Sequence, residues 1–241
     1  MKCLGLVVAA FFAALPLAAQ SHYYSTSFTA TENPICENAG SGCVWVNGGT
    51  TGISWGNIQT TPGLAFGVSQ PSEYGDPTAI LQGTWDPDQT AQATVHVGST
   101  PSACCHEVEL RLRVIVTPQS ITGYEINCSL EPTEPYLQIV RWDGAVGKFT
   151  YVGAISDSCA NGDVLKASIS GSTITVYKNG KEELTGTDSA YTTGDPGMSF
   201  YDDTDTQWSN FGFSQFTASD SSYTGQKPSP PTKLTGSVVP N

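Results

Sequence analysis

The chain is poor in charge, and the shortage falls on the basic side. Only 13% of its 241 residues are Asp, Glu, Lys or Arg, against about 25% in a typical soluble domain. Ten Lys and Arg stand against 22 Asp and Glu, a formal net charge of −12. Nucleic acid and anionic lipid are disfavoured partners for such a surface. Histidine is equally scarce, with His22, His96 and His106 the only copies, so imidazole bases have few places to act, and His96 within Thr94-Val95-His96-Val97 reads as a strand residue. No Cys-x-x-Cys pair is present, which removes the usual zinc spacing. A phosphate-cradling glycine loop is missing too, so nucleotide chemistry has no seat. Amphipathic helical periodicity is absent along the chain.

Apolar runs are short. The longest, from Leu4 to Phe12, falls below the roughly 20 residues of a membrane span and is followed by Pro16. With Met1-Lys2 before it and Leu17-Ala18-Ala19-Gln20 after it, residues 1–20 read as a cleavable signal peptide. The expected product is secreted, extracellular or displayed at the cell surface, without a membrane span, and monomeric. Seven cysteines include Cys3 in this leader. Cys36, Cys43, Cys104, Cys105, Cys128 and Cys159 remain, an even set that predicts up to three disulfides in an exported chain. Cys36 and Cys43 are spaced to close a short loop.

What is abundant is the punctuation of β structure, with 25 Gly and 15 Pro among many Ser and Thr. From His106 to Val116 apolar Val108, Leu110, Leu112, Val114 and Val116 alternate with Glu107, Glu109, Arg111, Arg113 and Ile115, a period of two that places the first set in a core and the second on the opposite face. Pro118 to Thr122 reads as a turn and Gly123 to Leu130 as the returning strand. A turn centred near residue 120 sets Arg113 opposite Asn127, with Glu125 one step diagonal. Tyr136 to Trp142 and Lys148 to Ile155 continue a meander through the Asp143-Gly144 turn. Val164 to Ser170, Thr173 to Lys178 and Lys181 to Leu184 form a second run, its last two strands joined by Asn179-Gly180, the strongest short hairpin signal. Met198 to Tyr201 and Asn210 to Ala218 supply closing strands. Residues 21–219 are therefore expected to fold as one all-β antiparallel sandwich, and the Ser/Pro/Thr-rich residues 220–241 to form a tail.

The order Gly162 to Ala167, then Thr173 to Gly180, then Thr193-Gly194-Asp195-Pro196-Gly197, then Asn210 to Phe216 resembles the concanavalin A-like, laminin-G-like jelly rolls of secreted bacterial proteins. That resemblance, over roughly Val108 to Ala218, implies two curved antiparallel sheets that meet sugars on a concave face or at the loops. One such fold hosts many functions. Laminarinase-like glycosidases of this type carry Glu-x-Asp-x-x-Glu; the run His106 to Leu112 lacks its Asp and its last Glu. The Arg-x-Glu-Leu-Arg strand of jelly-roll alginate lyases is similar to Glu107 to Arg111, where Glu109 and Arg111 match and Glu107 replaces Arg. Their Gln-x-His strand is matched only at Gln138. No catalytic residue is assigned.

Sugar rings present C–H faces to aromatic side chains and hydroxyls to polar ones. The candidate carbohydrate-binding residues are accordingly Glu109, Arg111, Arg113, Glu125, Asn127, Tyr136, Gln138, Trp142 and Trp208, although a single Trp more often packs in a core. The other reading of the charged face is a solvated ladder of ion pairs. Asp202, Asp203 and Asp205 form the densest acidic cluster, so a structural calcium is the one cofactor considered, without an EF-hand pattern to support it. The expected function is non-catalytic recognition of a polysaccharide or surface glycan. A polysaccharide-degrading enzyme of the same fold and a structural or adhesive surface protein are the alternatives.

Overall fold

The computed structural model describes residues 22–37, 42–51, 54–69, 73–101, 105–203 and 208–223. The expected leader, Cys104, Asp205 and residues 224–241 of the expected tail lie outside them.

The described residues form β1 (Tyr23–Thr26), β2 (Trp45–Asn47), β3 (Asn57–Thr61), β4 (Leu64–Val68), β5 (Thr78–Leu81), β6 (Gln89–Val97), β7 (His106–Thr117) and β8 (Ser120–Ser129). They continue with β9 (Leu137–Gly144), β10 (Phe149–Ile155), β11 (Val164–Ser170), β12 (Thr173–Lys178), β13 (Lys181–Thr187), β14 (Asp195–Asp202) and β15 (Phe211–Asp220). One sheet runs β10-β9-β8-β7-β14-β5-β2; the other runs β13-β12-β11-β6-β15-β4-β3, with β1 also on β15. Every strand pair is antiparallel, and the sheets stack as a jelly-roll sandwich. The expected β7-to-β10 meander is present. Residues before 100 contribute β1 to β6 to both sheets.

Period two explains the core. Val108, Leu110 and Leu112 of β7, Ile126 of β8, Ile139 of β9 and Phe200 of β14 point inward against Ala93 and Val95 of β6, Ile169 of β11 and Phe213 of β15. Glu109, Arg111, Glu125, Asn127, Gln138 and Trp142 have the other parity, so their strands turn them to the outer face of the seven-stranded sheet. Asn179 and Gly180 both take positive φ, 53° and 82°, as the two-residue turn between β12 and β13 requires.

The alternation expected through Val116 breaks at Arg113. That residue has φ 51°, and the β7–β8 register shifts between Leu112 and Ile115, a β-bulge. Beyond it Val114 leaves the main core and joins Trp55, Ile80, Ile121 and Trp142 in a second cluster on the outer face. Gly123 and Gly194, at φ +125° and +132°, enclose the bulge so closely that a Cβ on either would lie 2.4 Å from the Arg113 backbone. The turn is also tighter than expected: Thr117 faces Ser120, and beyond the bulge Arg111 faces Glu125 and Glu109 faces Asn127, so the partner of Asn127 lies four residues from the Arg113 predicted.

Disulfides join Cys36 to Cys43 and Cys128 to Cys159; Cys105 is disulfide-bonded as well. No helix among the described residues is long and apolar enough to cross a membrane.

Candidate functional site

A pocket of about 270 Å³ opens on the outer face of the seven-stranded sheet, close to the lower end of the roughly 300–1,000 Å³ typical of ligand sites. Strands β7, β8 and β9 contribute Glu107, Glu109, Glu125, Asn127, Gln138 and Trp142 to its lining; β10 adds Phe149 and Tyr151, and β14 adds Tyr201. Tyr136, just before β9, and Tyr74 and Asp76, before β5, complete the wall. Six of the nine sequence candidates meet here: Glu109, Glu125, Asn127, Tyr136, Gln138 and Trp142.

Arg111 lies at the centre of the polar network, 0% exposed. Its Nη2 donates to Asp76 Oδ1 at 2.6 Å and to Glu109 Oε2 at 3.0 Å, its Nε donates to Ser199 Oγ at 2.6 Å, and its Nη1 pairs with Glu125. The guanidinium sits 5.4 Å from the Trp55 ring centroid and 5.6 Å from that of Trp142, in cation–π range. The Trp142 indole N–H donates to Glu125 Oε2 at 2.5 Å, and the Tyr136 hydroxyl donates to Glu107 Oε1 at 2.5 Å. A solvated ladder of ion pairs is therefore not what this face holds, since Glu109, Arg111 and Glu125 are all buried.

Three carboxyls pair with one guanidinium and a fourth, Glu107, lines the same pocket, and the imbalance appears in their proton affinity. Burial raises Asp76 to about 7; the negative charge of Glu125 adds to this, and Arg111 offsets only part of it. Burial and Glu125 likewise push Glu107 up to about 8. Glu109 is held well above the usual carboxylate range by burial, with Asp76 and Glu125 adding to it. Carboxyls in this state donate hydrogen bonds near neutral pH as well as accept them.

The aromatic wall is continuous. Trp55 meets Trp142 edge-on at 5.0 Å, Trp142 meets Phe149 at 5.3 Å, and Phe149 meets Tyr151 at 5.5 Å. Trp142 is only 2% exposed, whereas Phe149 is 38% and Tyr151 60% exposed. Phe149 pairs with Trp142 and Tyr151 with Val140, so both β10 residues share the pocket side. The flat surface offered to a ligand thus comes from two residues outside the sequence candidates. The Asp143-Gly144 turn was the available signal, because it fixes the β9–β10 register. Tyr74 and Asp76 carry no such signal, since they come from a segment without periodicity.

Two candidates stand elsewhere. Arg113, displaced by its bulge, donates from Nε to Pro87 O at 2.6 Å and from Nη1 to Gly171 O at 2.9 Å and Tyr191 O at 3.1 Å. Trp208 is buried against Phe211 and over Gly67. Of the calcium candidates, Asp205 lies outside the described residues, and Asp202 and Asp203 do not converge either. Asp202 is buried with its Oδ1 3.4 Å from His106 Nε2, while Asp203 is exposed. Among the described residues the carboxylates close enough to share a metal ion are Asp76, Glu109 and Glu125, whose oxygens lie within 4.8 Å of one another. Arg111 already pairs with all three, so calcium, which takes 6–8 oxygens including waters, would have to compete with the guanidinium for them. The run Gly52-Ile53-Ser54-Trp55-Gly56 has the spacing of a nucleophile elbow, but an elbow needs a strand-to-helix turn, and Ser54 instead precedes β3.

No protein-family model matches the sequence, and no curated protein matches it. Solved structures do match. The carbohydrate-binding module CBM66 from Bacillus subtilis aligns with a TM-score of 0.51 and 13% identity over 73% of this chain and 92% of its own. The metal-free exoplasmic/lumenal domain of VIP36 aligns with a TM-score of 0.53 and 13% identity over 83% and 93%, and its Ca²⁺/Man-bound form aligns at 0.52. The metal-free carbohydrate recognition domain of Emp46p aligns at 0.51 with 9% identity over 78% and 94%. At such identities the likeness shows the fold alone, an antiparallel β-sandwich of the concanavalin A-like jelly-roll type.

Proposed function

We propose that this protein is a secreted, non-catalytic carbohydrate-binding jelly roll that takes a glycan in the outer-face pocket. One observation carries the reading: the exposed rings of Phe149 and Tyr151 border the same pocket as Glu107, Glu125, Asn127 and Gln138. Apolar sugar faces stack on such rings, and sugar hydroxyls pair with such carboxyls and amides. The pocket's size suits one ring or a chain end better than a long segment. The neighbours whose names describe carbohydrate binding or a mannose-bound form support it. Two disulfides accord with an oxidising compartment.

Affinity electrophoresis across neutral, acidic and amino polysaccharides tests the proposal. Retention by at least one polymer, lost in Tyr151→Ala, is the expected result; mobility unchanged in every gel refutes it.

A second reading, polysaccharide cleavage, is favoured by the proton that Glu107 keeps up to about 8, as a general acid must near neutral pH. It is weakened by Arg111, which ties up Glu109 and Glu125. New reducing ends or ultraviolet-absorbing unsaturated ends, abolished by Glu107→Gln, establish cleavage. Their absence over the same polymer panel removes it.

A further inference from the structure

The pocket is acidic without a compensating base. Asp76, Glu107, Glu109 and Glu125 line it, and neither Lys nor Arg is among its lining residues. Arg111 lies beneath, fully buried, its charge divided among three of those carboxylates and covered by two indoles. An independent observation points to a missing donor. Asn127 lines the pocket, is 6% exposed, and its Oδ1 accepts no hydrogen bond among the described residues.

We infer that the pocket selects a sugar bearing a free ammonium group, an amino sugar, over neutral and uronic-acid sugars; this rests on the glycan-binding reading above. Three features of the site converge on that ligand. An ammonium is a pure donor with three N–H groups and no acceptor, which suits carboxylates and an unsatisfied amide oxygen. Its positive charge supplements that of Arg111, which is divided among three carboxylates and does not reach Glu107. The walls also present exposed aromatic rings, from Phe149 and Tyr151, whose negative quadrupoles attract a cation. A uronate would add another carboxylate to the cluster, and an N-acetylated sugar would bring bulk without charge. The protons that Asp76 and Glu107 retain to about 7 and about 8 mark the same deficit of positive charge in the free protein.

The test compares binding near neutral pH of oligomers with one linkage that differ at a single substituent: glucosamine, N-acetylglucosamine and glucose oligomers, with a uronate oligomer beside them. Glucosamine oligomers are expected to bind about tenfold more tightly than any of the others. Glu107→Gln, isosteric and only half-buried, is expected to shrink that ratio, and Tyr151→Ala, at an exposed position that cannot disturb the core, to weaken glucosamine binding. Thermal unfolding verifies that both variants fold. Glucose, N-acetylglucosamine or uronate oligomers binding as tightly as glucosamine overturn the amine selectivity while the glycan reading stands. A glucosamine preference unchanged in both variants also overturns it, by removing the preference from this pocket. Binding of no oligomer by the folded protein overturns the amine selectivity, and the glycan reading falls with it when the broad polysaccharide panel also shows no retention.

Discussion

Arg111 and Arg113 stand two residues apart on β7, and both are buried, yet the regions around them differ in kind. Around Arg111 the partners are carboxylates and indoles on the outer face, so its positive charge is what keeps a cluster of acids folded. Around Arg113 the partners are the backbone carbonyls of Pro87, Gly171 and Tyr191 and one half-exposed carboxylate, Asp88, 3.5 Å from its Nη2, so its planar fork mainly ties three loops together. Gln89 completes that second region, accepting from Arg113 N at 2.9 Å and donating to Gly194 O at 2.6 Å. The first region is electrostatic and borders the pocket; the second is geometric and borders no ligand site. One inserted residue separates them, because a bulge reverses which side each later side chain faces.

If that contrast is right, removing each charge should have unequal effects. Arg111→Met is expected to destabilise the fold by about 3–5 kcal/mol, since buried carboxylates lose their counter-charge, and denaturant unfolding measures it. Arg113→Met is expected to cost about 1–3 kcal/mol, the loss of hydrogen bonds to neutral carbonyls together with a solvent-screened ion pair to Asp88. Equal costs would show that the two regions are of one kind. Gly194→Ala attacks only the second, where a side chain meets the Arg113 backbone at positive φ, and a loss of about 1–3 kcal/mol is expected. Its ligand affinity should stay that of the parent, which titration with any bound oligomer checks.

Proton titration separates the regions further. Asp76 and Glu107 have ordinary values of 3.8 and 4.5 but keep their protons to about 7 and about 8. The folded state then holds protons that the unfolded chain has released, so stability falls as pH rises through that window. Asp88 and Asp143, held below the ordinary value by hydrogen bonds from Ser170 and Arg141, have the opposite sign and lose their contribution only at lower pH. A melting temperature that declines from mildly acidic pH to about pH 8 is expected, with a shallower decline in Glu107→Gln. A flat profile in the parent protein would place the protons elsewhere. The smallest effect on stability is expected for Tyr151→Ala, within about 0.5 kcal/mol at this exposed position, while glycan retention is lost.

Much of the fold was legible because β structure writes its period into the sequence. The parity of β9 put Gln138 and Trp142 on the face that became the pocket, and the limits of β11 and β12 coincide with Val164–Ser170 and Thr173–Lys178. Glu109, Glu125 and Asn127 were likewise placed on a shared face by alternation alone. The register between them was not, because a turn shorter than expected and a positive φ at Arg113 leave no mark on hydrophobic pattern. Phe149 and Tyr151 were missed as ligand-facing residues because alternation says which side a residue takes, not which side remains open.

The sequence by itself determined an acidic, β-rich, cysteine-containing chain and the side-chain parity of its central strands, since these follow from composition and a period of two. Tertiary structure alone decided that β14 lies between β7 and β5 and that the segment before β5 brings Tyr74 and Asp76 to the pocket. It also decided that Arg111 is shared by three carboxylates while Arg113 is not. Those outcomes depend on contacts between segments far apart in the chain, where packing, a bulge and burial set the partners, and no local pattern encodes them.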